Sequence, residues 1–317
     1  MLSLYNRFKT IYCMPSSKNI LKMIGNTPVV RLNLMRQVNL YVKLEYLNPT
    51  GSHKDRIALY MIRDAEEKGM LKPGGTVVEA SSGNTAISVA WICSLLGYNA
   101  VIFVEEEASE TKVRLIKLLG AEVIRVPELP LSHPDNILNR ARKYAVEHGF
   151  LFLNQFGNEA NVKAHYETTG PELYRQLNGE IDMFVMGIGT GGTIAGVGKY
   201  LREKLGSKVR IVGVVPKGSP IVKGEGSVGQ PIEGLSTVSI SDIVKRYRHI
   251  IDEIVEVDLD TAVKTAVEYA RREGILGGMS TGACLHVALQ EAEKLEKGNV
   301  ATLAPDSILR YLDKLKF

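Results

Sequence analysis

The strongest constraint on the fold of this chain is a regular alternation of short β-rich runs with longer helical segments. Four of these runs are GTVVEA, NAVIFVEE, AEVIRVP and DMFVMG, and each precedes a segment with apolar residues at helical spacing. The segment GNTAISVAWICSLLG is apolar almost all round, which is typical of a helix in the middle of a fold. Because such alternation builds parallel sheets with helices on their faces, we expect an α/β protein with mostly parallel sheets.

Composition narrows the classes of function. The chain has 317 residues, of which 45% are hydrophobic and 23% charged, as in a globular enzyme large enough for two domains. No apolar run approaches the ~20 residues that span a bilayer. A net charge of +4, without a basic stripe, gives no reason to expect a nucleic-acid partner. The three cysteines form no C-x-x-C pair and the six histidines lie far apart, so we expect a cytoplasmic protein without a metal site.

The segment PTGSHKDR, residues 49–56, places a single lysine at the start of a predicted helix. Free N–H groups and the helix dipole make this end positive, so a charged Lys54 is unfavourable there. One interpretation is a solvated surface lysine whose charge stays away from the helix. The other is a lysine kept neutral by burial and by the positive potential, as an amine that forms a Schiff base requires.

A loop that follows one β-rich run carries an unusual set of polar groups. The loop is EASSGNTA, and it offers Ser81, Ser82, Gly83, Asn84 and Thr85 at the start of the apolar helix. Open α/β sheets bind ligands at such strand ends, and hydroxyls with free N–H groups suit a carboxylate or a phosphate. One capping residue would satisfy the helix end, so five such residues in a row favour a ligand.

A second loop, GIGTGGT (187–193), combines glycines that permit close backbone approach with N–H groups that can form an anion site. It matches the dinucleotide fingerprint G-x-G-x-x-G, but the next strand, KVRIVGVVP, ends without the acidic residue that binds a ribose. We therefore interpret the loop as a cradle for a single phosphate. In a third loop, GGMSTGA, Ser280 or Thr281 is a plain helix cap in one interpretation, and Ser280 is a ligand-binding residue in the other. Pyridoxal 5'-phosphate (PLP) accounts for the lysine, the phosphate cradle and the polar loops together.

Longer motifs, in order along nearly the whole chain, resemble one enzyme family. They are IGNTPVVRLN (24–33), PTGSHKDRIA, EASSGNTA, QFGNEANVKAHYETTGPEL (155–173), GIGTGGTIAGVGKYL, GILGGMSTGA and LAPDSILRYL (303–312). With these motifs the chain resembles the fold-type II PLP enzymes. Among them it is most similar to the cysteine synthase (O-acetylserine sulfhydrylase) and cystathionine β-synthase family.

The resemblance implies a fold and a division into domains. The architecture would be that of the tryptophan synthase β-subunit, with two three-layer α/β domains and PLP in the cleft between them. One domain would comprise residues 48–158, including the Asn84 loop. The other would comprise residues 159–317 with residues 26–47, and would hold the PLP phosphate. A homodimer is implied as well.

The resemblance also implies roles for individual residues. Lys54 would carry PLP covalently and act as the catalytic base, Asn84 would contact the ring hydroxyl oxygen, and Ser280 would contact the pyridine nitrogen. The phosphate would be held by Gly189, Thr190, Gly191, Gly192 and Thr193. The amino acid would be bound by Ser81, Ser82, Gly83, Thr85 and Gln155, with Gly234 in the substrate loop.

The implied reaction is a β-replacement that makes L-cysteine from an activated serine and sulfide through an α-aminoacrylate. Two alternatives keep the cofactor: condensation of serine with homocysteine, as in cystathionine β-synthase, and dehydration of serine or threonine. A nicotinamide dehydrogenase is a rival based on GIGTGG alone, and the missing ribose-binding acid argues against it.

Two positions depart from the usual cysteine synthase pattern in ways that leave interpretations open. His53 stands before the lysine, where a small aliphatic residue is usual. It is either a packed histidine or a hydrogen-bond partner of the site. Ile308 stands where a glycine is usual, so the last strand-to-helix turn is expected to differ.

The substrate loop is the third departure, and it bears on the first substrate. It reads IEGLSTVSI (232–240) and matches the usual pattern well only at Gly234. The hydroxyls of Ser236, Thr237 and Ser239 would suit a phosphate leaving group. So would two cations nearby in sequence, Lys223 and Arg248. O-phosphoserine therefore competes with O-acetylserine as the first substrate.

Overall fold

The computed structural model describes residues 19–32, 38–129, 133–224, 230–235 and 240–312. In this part of the chain, strands and helices alternate as predicted. The strands are β1 (Val29–Leu32), β2 (Val38–Lys43), β3 (Thr76–Ala80), β4 (Asn99–Glu105), β5 (Glu122–Val126), β6 (Leu151–Phe152), β7 (Met183–Gly187), β8 (Arg210–Pro216), β9 (Glu253–Val257) and β10 (Gly298–Leu303).

The strands form two sheets. The six-stranded sheet has the order β1-β2-β10-β7-β8-β9, and the four-stranded sheet has the order β5-β4-β3-β6. Neighbouring strands run parallel except for β1 and β2, which are antiparallel. The predicted α/β architecture with mostly parallel sheets is therefore confirmed.

Helices follow most of the parallel strands, as crossover connections require. They are α1 (Lys54–Glu67), α2 (Asn84–Leu96), α3 (Glu110–Leu118), α4 (Ile137–His148), α5 (Glu159–Ala164), α6 (Gly170–Gln176), α7 (Gly192–Leu205), α8 (Pro220–Lys223), α9 (Asp242–Tyr247), α10 (Leu259–Glu273) and α11 (Met279–Glu293). None of these described helices is both long and apolar enough to cross a membrane.

Both faces of each sheet are covered. Along β4 the side chains alternate: Ile102 and Val104 pack with α1 and α2, whereas Val101 and Phe103 pack with α4. In the six-stranded sheet, Val212 and Val214 of β8 pack with α10 and α11 on one face, and α7 covers the other. Each sheet is thus the middle of three layers, which explains why its strands read as apolar runs.

The most apolar helix predicted from the sequence is α2, and it is buried over most of its length. It begins at Asn84, within the polar loop motif, and ends at Leu96. Its C-cap is Gly97, whose φ of +75° is the left-handed conformation that glycine tolerates at a helix end. This fixes the polar loop at the carboxyl end of β3.

One boundary differs from the prediction. Helix α11 begins at Met279, so Ser280 and Thr281 lie inside its first turn rather than at its cap. The long stretch after β8 contains the short helices α8 and α9 in its described part. Between α5 and α6 the chain forms a π-helix, His165–Thr169, which the sequence did not predict.

The two sheets draw on different parts of the chain. Strands of the four-stranded sheet lie within residues 76–152, and those of the six-stranded sheet lie within residues 29–43 and 183–303. The division into domains at residues 158 and 159 stays a prediction.

Candidate active site

The predicted lysine and the three predicted loops meet in one pocket between the two sheets. Eight of the predicted site residues line it: Lys54, Asn84, Gly189, Thr190, Gly191, Thr193, Gly234 and Ser280. They lie at the carboxyl ends of strands, since β3 leads to the Asn84 loop and β7 leads to the glycine loop. Other residues line the pocket as well, namely His53, Met186, Gly187, Leu235, Pro305 and Asp306.

Lys54 is the first residue of α1, and its amine lies in this pocket. Burial lowers the pKa of the ammonium from its usual 10.5 to about 8, while the carboxylate of Asp306 acts in the opposite direction. A substantial fraction of the amine is therefore neutral near pH 8. This supports the interpretation of Lys54 as a nucleophilic lysine over that of a solvated surface residue.

His53 lies in a buried chain of hydrogen bonds beneath the glycine loop. Its Nδ1 is 3.5 Å from the Thr193 hydroxyl, which is 3.1 Å from Nε2 of His165. Nδ1 of His165 is in turn 2.9 Å from the Thr169 hydroxyl. Burial lowers the pKa of His165 to about 3 and holds that of His53 well below 6.5, so both imidazoles are neutral. His53 is thus both packed and hydrogen-bonded to a site residue.

The glycine loop has the form of an anion cradle. Gly191 has a φ of +87°, and a Cβ at Gly189 or Gly192 would overlap the Gly234 carbonyl oxygen or the Asn161 side chain. Helix α7 begins at Gly192, so its free N–H groups and positive dipole end face the loop. The loop therefore requires glycine at these positions and offers backbone donors to an anion.

The Thr190 hydroxyl is fixed within this loop. It accepts hydrogen bonds from the side-chain amide of Asn161 at 3.1 Å and from the backbone N–H of Gly192 at 3.3 Å. Ser241 donates to the Thr190 carbonyl at 2.7 Å. These hydrogen bonds within the protein fix the geometry of the cradle.

Most of the predicted amino-acid-binding residues lie beside the pocket rather than in its lining. The Ser81 hydroxyl accepts from the Gly83 N–H at 3.3 Å, and the Ser82 hydroxyl accepts from the Glu105 N–H at 3.0 Å. Thr85 donates to the side chain of Gln155 at 2.6 Å. These bonds hold the polar loop against the end of β4 and against the loop that follows β6.

Glu79 connects the polar loop after β3 with the loop after β6 that carries Gln155. Its carboxyl group is fully buried and accepts from the N–H groups of Ala80 at 2.9 Å and Gln155 at 3.3 Å. Burial raises the pKa of this carboxyl to about 8. The position of Gln155 relative to the polar loop is therefore fixed by a buried acid that the sequence did not single out.

Ser280 is not a helix cap. The N-cap of α11 is Gly278, and Ser280 lies in the first turn with its side chain buried beside Gly234. The interpretation of Ser280 or Thr281 as a plain N-cap is wrong. Ser280 is instead part of the pocket lining.

Two site residues were not foreseen from the sequence. His165 lies within the motif QFGNEANVKAHYETTGPEL, but its contact with Thr193 depends on the π-helix. Asp306 lies within LAPDSILRYL, a motif that gives no sign of its contact with the distant Asn84. The side chains of Ser236, Thr237 and Ser239 lie outside the described residues.

Comparisons with known proteins agree with this site. Residues 20–306 match the family model described as pyridoxal-phosphate dependent enzyme. The chain is 42% identical over 299 residues to a cysteine synthase of Staphylococcus aureus, covering 93% of this chain and 95% of that protein. Among solved structures, it is similar to an O-ureido-L-serine synthase, with a TM-score of 0.88, 38% identity and 94% of each chain covered.

A further solved structure is the O-acetylserine dependent cystathionine β-synthase of Helicobacter pylori. It superimposes with a TM-score of 0.88 at 31% identity, covering 95% of this chain and 99% of that chain. The match of the family model spans the pocket, both sheets and the segment that ends at Asp306. The chain belongs to the pyridoxal-phosphate dependent enzymes.

Proposed function

We propose that this chain is a cysteine synthase that makes L-cysteine from O-acetyl-L-serine and sulfide with PLP as cofactor. The observation that carries the proposal is the convergence of Lys54, the glycine-loop anion cradle and Ser280 in one pocket. The cysteine synthase relative, which this chain matches over nearly its whole length, supports the same activity.

The residues present fit PLP. The cradle from Gly189 to Thr193 suits a phosphate ester, because its glycines leave room and α7 supplies N–H donors. Asn84 and Ser280 line the same pocket, where the Asn84 amide would contact the ring hydroxyl oxygen and Ser280 would contact the pyridine nitrogen. Lys54 is the amine in this pocket that can form the covalent link.

When bound, PLP withdraws electrons from the substrate's Cα, which allows loss of the Cα proton and of the leaving group on Cβ. The Lys54 amine, with its pKa near 8, accepts the Cα proton and later returns it. Ser280 presents a neutral hydroxyl, which favours replacement at Cβ over transamination. The Ser81–Thr85 loop and Gln155 bind the substrate carboxylate and exclude water.

The first substrate is O-acetyl-L-serine rather than O-phosphoserine. In the described part of the pocket lining, Lys54 is the one lysine or arginine. Arg248, considered for a phosphate leaving group, donates to the Ile251 carbonyl at 2.8 Å instead. Glu233, next to Gly234, is paired with Lys112, so these two residues add no net positive charge that would attract a phosphate. A neutral acetyl ester fits these surroundings better than a dianionic phosphate.

The covalent link tests this proposal. We expect the purified protein to take up PLP and to absorb visible light, and borohydride reduction followed by mass spectrometry to place the cofactor on Lys54. Lys54→Ala should lose the covalent link and lower kcat by about 10³-fold or more, because both the link and the proton-transfer group are gone.

Lys68→Ala is the matched control, because Lys68 lies at the exposed end of the same helix and pairs with Asp64. This variant should keep the absorbance and the activity. A protein that takes up no PLP, or a Lys54→Ala variant that retains the covalent cofactor, would contradict the proposal.

A further inference from the structure

The segment after β10 brings a buried carboxylate into the pocket. Asp306 is 1% exposed, and its Oδ2 accepts hydrogen bonds from the Asn84 amide nitrogen at 2.6 Å and from the Tyr311 hydroxyl. Its other oxygen, Oδ1, has no hydrogen-bond partner within the described residues. Such a buried and incompletely satisfied carboxylate is costly, and this cost points to a function in the site.

Arg310 holds the opposite end of the same amide. Its guanidinium donates to the Asn84 side-chain oxygen at 2.6 Å and also to the Thr50 carbonyl. The two contacts are complementary, because a guanidinium only donates and a carboxylate only accepts. Together they fix which end of the amide is oxygen and which is nitrogen, a choice that is otherwise free to reverse.

The backbone of this segment also joins the other loops of the site. The Pro305 carbonyl accepts from the His53 N–H at 2.9 Å, and the Asp306 carbonyl accepts from the Gly278 N–H at 2.9 Å. The turn before Lys54, the start of α2 and the start of α11 are therefore all tied to residues 305–310. The charge of Asp306 acts on the Lys54 ammonium as well.

We propose that Asp306 and Arg310 are positioning residues that hold the Asn84 amide with its nitrogen, rather than its oxygen, available to the cofactor. This inference rests on the proposed function, in which Asn84 contacts the ring hydroxyl oxygen. One N–H of the Asn84 nitrogen is used by Asp306, and the other is left for the ring oxygen. A reversed amide would present its oxygen there and lose the hydrogen bond.

The test compares the visible absorbance spectrum of the PLP-loaded enzyme across pH for wild type, Asp306→Asn, Arg310→Met and Asn84→Ala. The spectrum reports on the hydrogen bond at the ring oxygen, which a loss of stability alone does not change. We expect Asp306→Asn and Arg310→Met to shift the spectrum in the direction that Asn84→Ala shifts it. We expect kcat/KM to fall by about 10- to 100-fold, as for the loss of a charge-assisted hydrogen bond.

A double variant separates positioning from an independent role. If Asp306 and Arg310 act through Asn84, adding Asp306→Asn or Arg310→Met to Asn84→Ala changes neither the spectrum nor kcat/KM further. Asp135→Asn, at an exposed position before α4, is the control and should match wild type.

The outcomes distinguish the two proposals. If wild type takes up no PLP, the proposed function fails. If wild type is loaded and active but both single variants keep its spectrum, or if the effects add fully to Asn84→Ala, the positioning proposal is overturned while the proposed function stands. Arg310 is only half-buried, so its variant tests the proposal even where Asp306→Asn folds poorly.

Discussion

At the level of single residues, the pocket depends on buried polar groups whose charge state is set by their surroundings. His165 is fully buried between the Thr169 and Thr193 hydroxyls, and it lies near the positive charges of Arg56 and Lys54. A neutral imidazole donates from one nitrogen and accepts at the other. If Nε2 donates to Thr193, the Thr193 hydroxyl is free to donate in turn to a phosphate.

The low pKa of His165 predicts a specific loss of stability in acid. Its pKa is about 3 in the folded protein and about 6.5 when unfolded, so the unfolded chain binds the proton first as the pH falls. The stability that comes from burying a neutral His165 is fully present above pH 6.5 and is lost as the pH falls from about 6.5 to 3. In His165→Gln, the loss of unfolding free energy between pH 7 and pH 5 should be smaller by about 2 kcal/mol.

Urea unfolding at the two pH values measures this difference. The exposed His148, at the end of α4, provides the matched His148→Gln control. A His165→Gln variant that loses as much stability in acid as wild type would contradict the prediction.

The residue scale also marks a limit of sequence reasoning. Lys54 stood out because a lysine conflicts with the positive end of a helix, which is a local signal. The partner of His53 did not stand out, since 140 positions separate it from Thr193 and their contact arises only from the packing of the two sheets. The role of Asp306 could not be predicted for the same reason, because 222 positions separate it from its partner Asn84.

At the level of elements, helix α1 is anchored by a buried ionic cluster two residues beyond the lysine. Arg56 donates to Glu45 at 2.7 and 2.8 Å and to Glu172 at 2.7 Å, and Lys43 lies 2.9 Å from Glu172. Burial disfavours the Glu45 carboxylate, yet the Arg56 charge outweighs it and brings the Glu45 pKa to about 2. The cluster joins β2, α1 and α6, and so fixes the helix that begins with Lys54.

Removal of Arg56 should therefore destabilise the fold strongly. Arg56→Met leaves two buried carboxylates with too little positive charge, and we expect a loss of about 3–5 kcal/mol in the free energy of unfolding. Arg63→Met on the same helix is the control, since Arg63 is exposed and pairs only with Glu66 in the described contacts, and it should cost less than about 1 kcal/mol. Equal losses in urea unfolding would show that the cluster does not anchor α1.

Helices and strands could be predicted from the sequence where a local pattern of apolar residues alone determines them. Continuous apolar runs in the sequence predicted the helix α2 and the strands β3, β4 and β7. The π-helix could not be foreseen, because it depends on how α5 and α6 pack against α7 rather than on local propensity. The start of α11 was misplaced for a related reason, since its N-cap glycine has no capping side chain to mark it.

At the level of the whole molecule, the site is made by bringing two sheets together. Each sheet follows from the alternation of strands and helices, and the rule that ligands bind at the carboxyl ends of strands predicted which loops carry chemistry. The way the sheets face each other could not be predicted from patterns within either one. Contacts between the parts of the chain that carry the two sheets, such as the ion pair of Lys112 in α3 with Glu233, depend on that packing.

The homodimer and the cytoplasmic location stay predictions, which rest on the resemblance and on composition.

The reaction itself is tested most directly by a product assay on the PLP-loaded enzyme. O-acetyl-L-serine, O-phospho-L-serine and L-serine are each supplied with sulfide and with homocysteine, and cysteine, cystathionine and pyruvate are quantified. We predict that cysteine from O-acetyl-L-serine and sulfide is the main product. O-phosphoserine should have a kcat/KM lower by about ten-fold or more, because Lys54 is the only lysine or arginine in the described pocket lining to meet its charge. A loaded enzyme that forms no cysteine from either activated serine, or that forms chiefly cystathionine or pyruvate, would contradict the account.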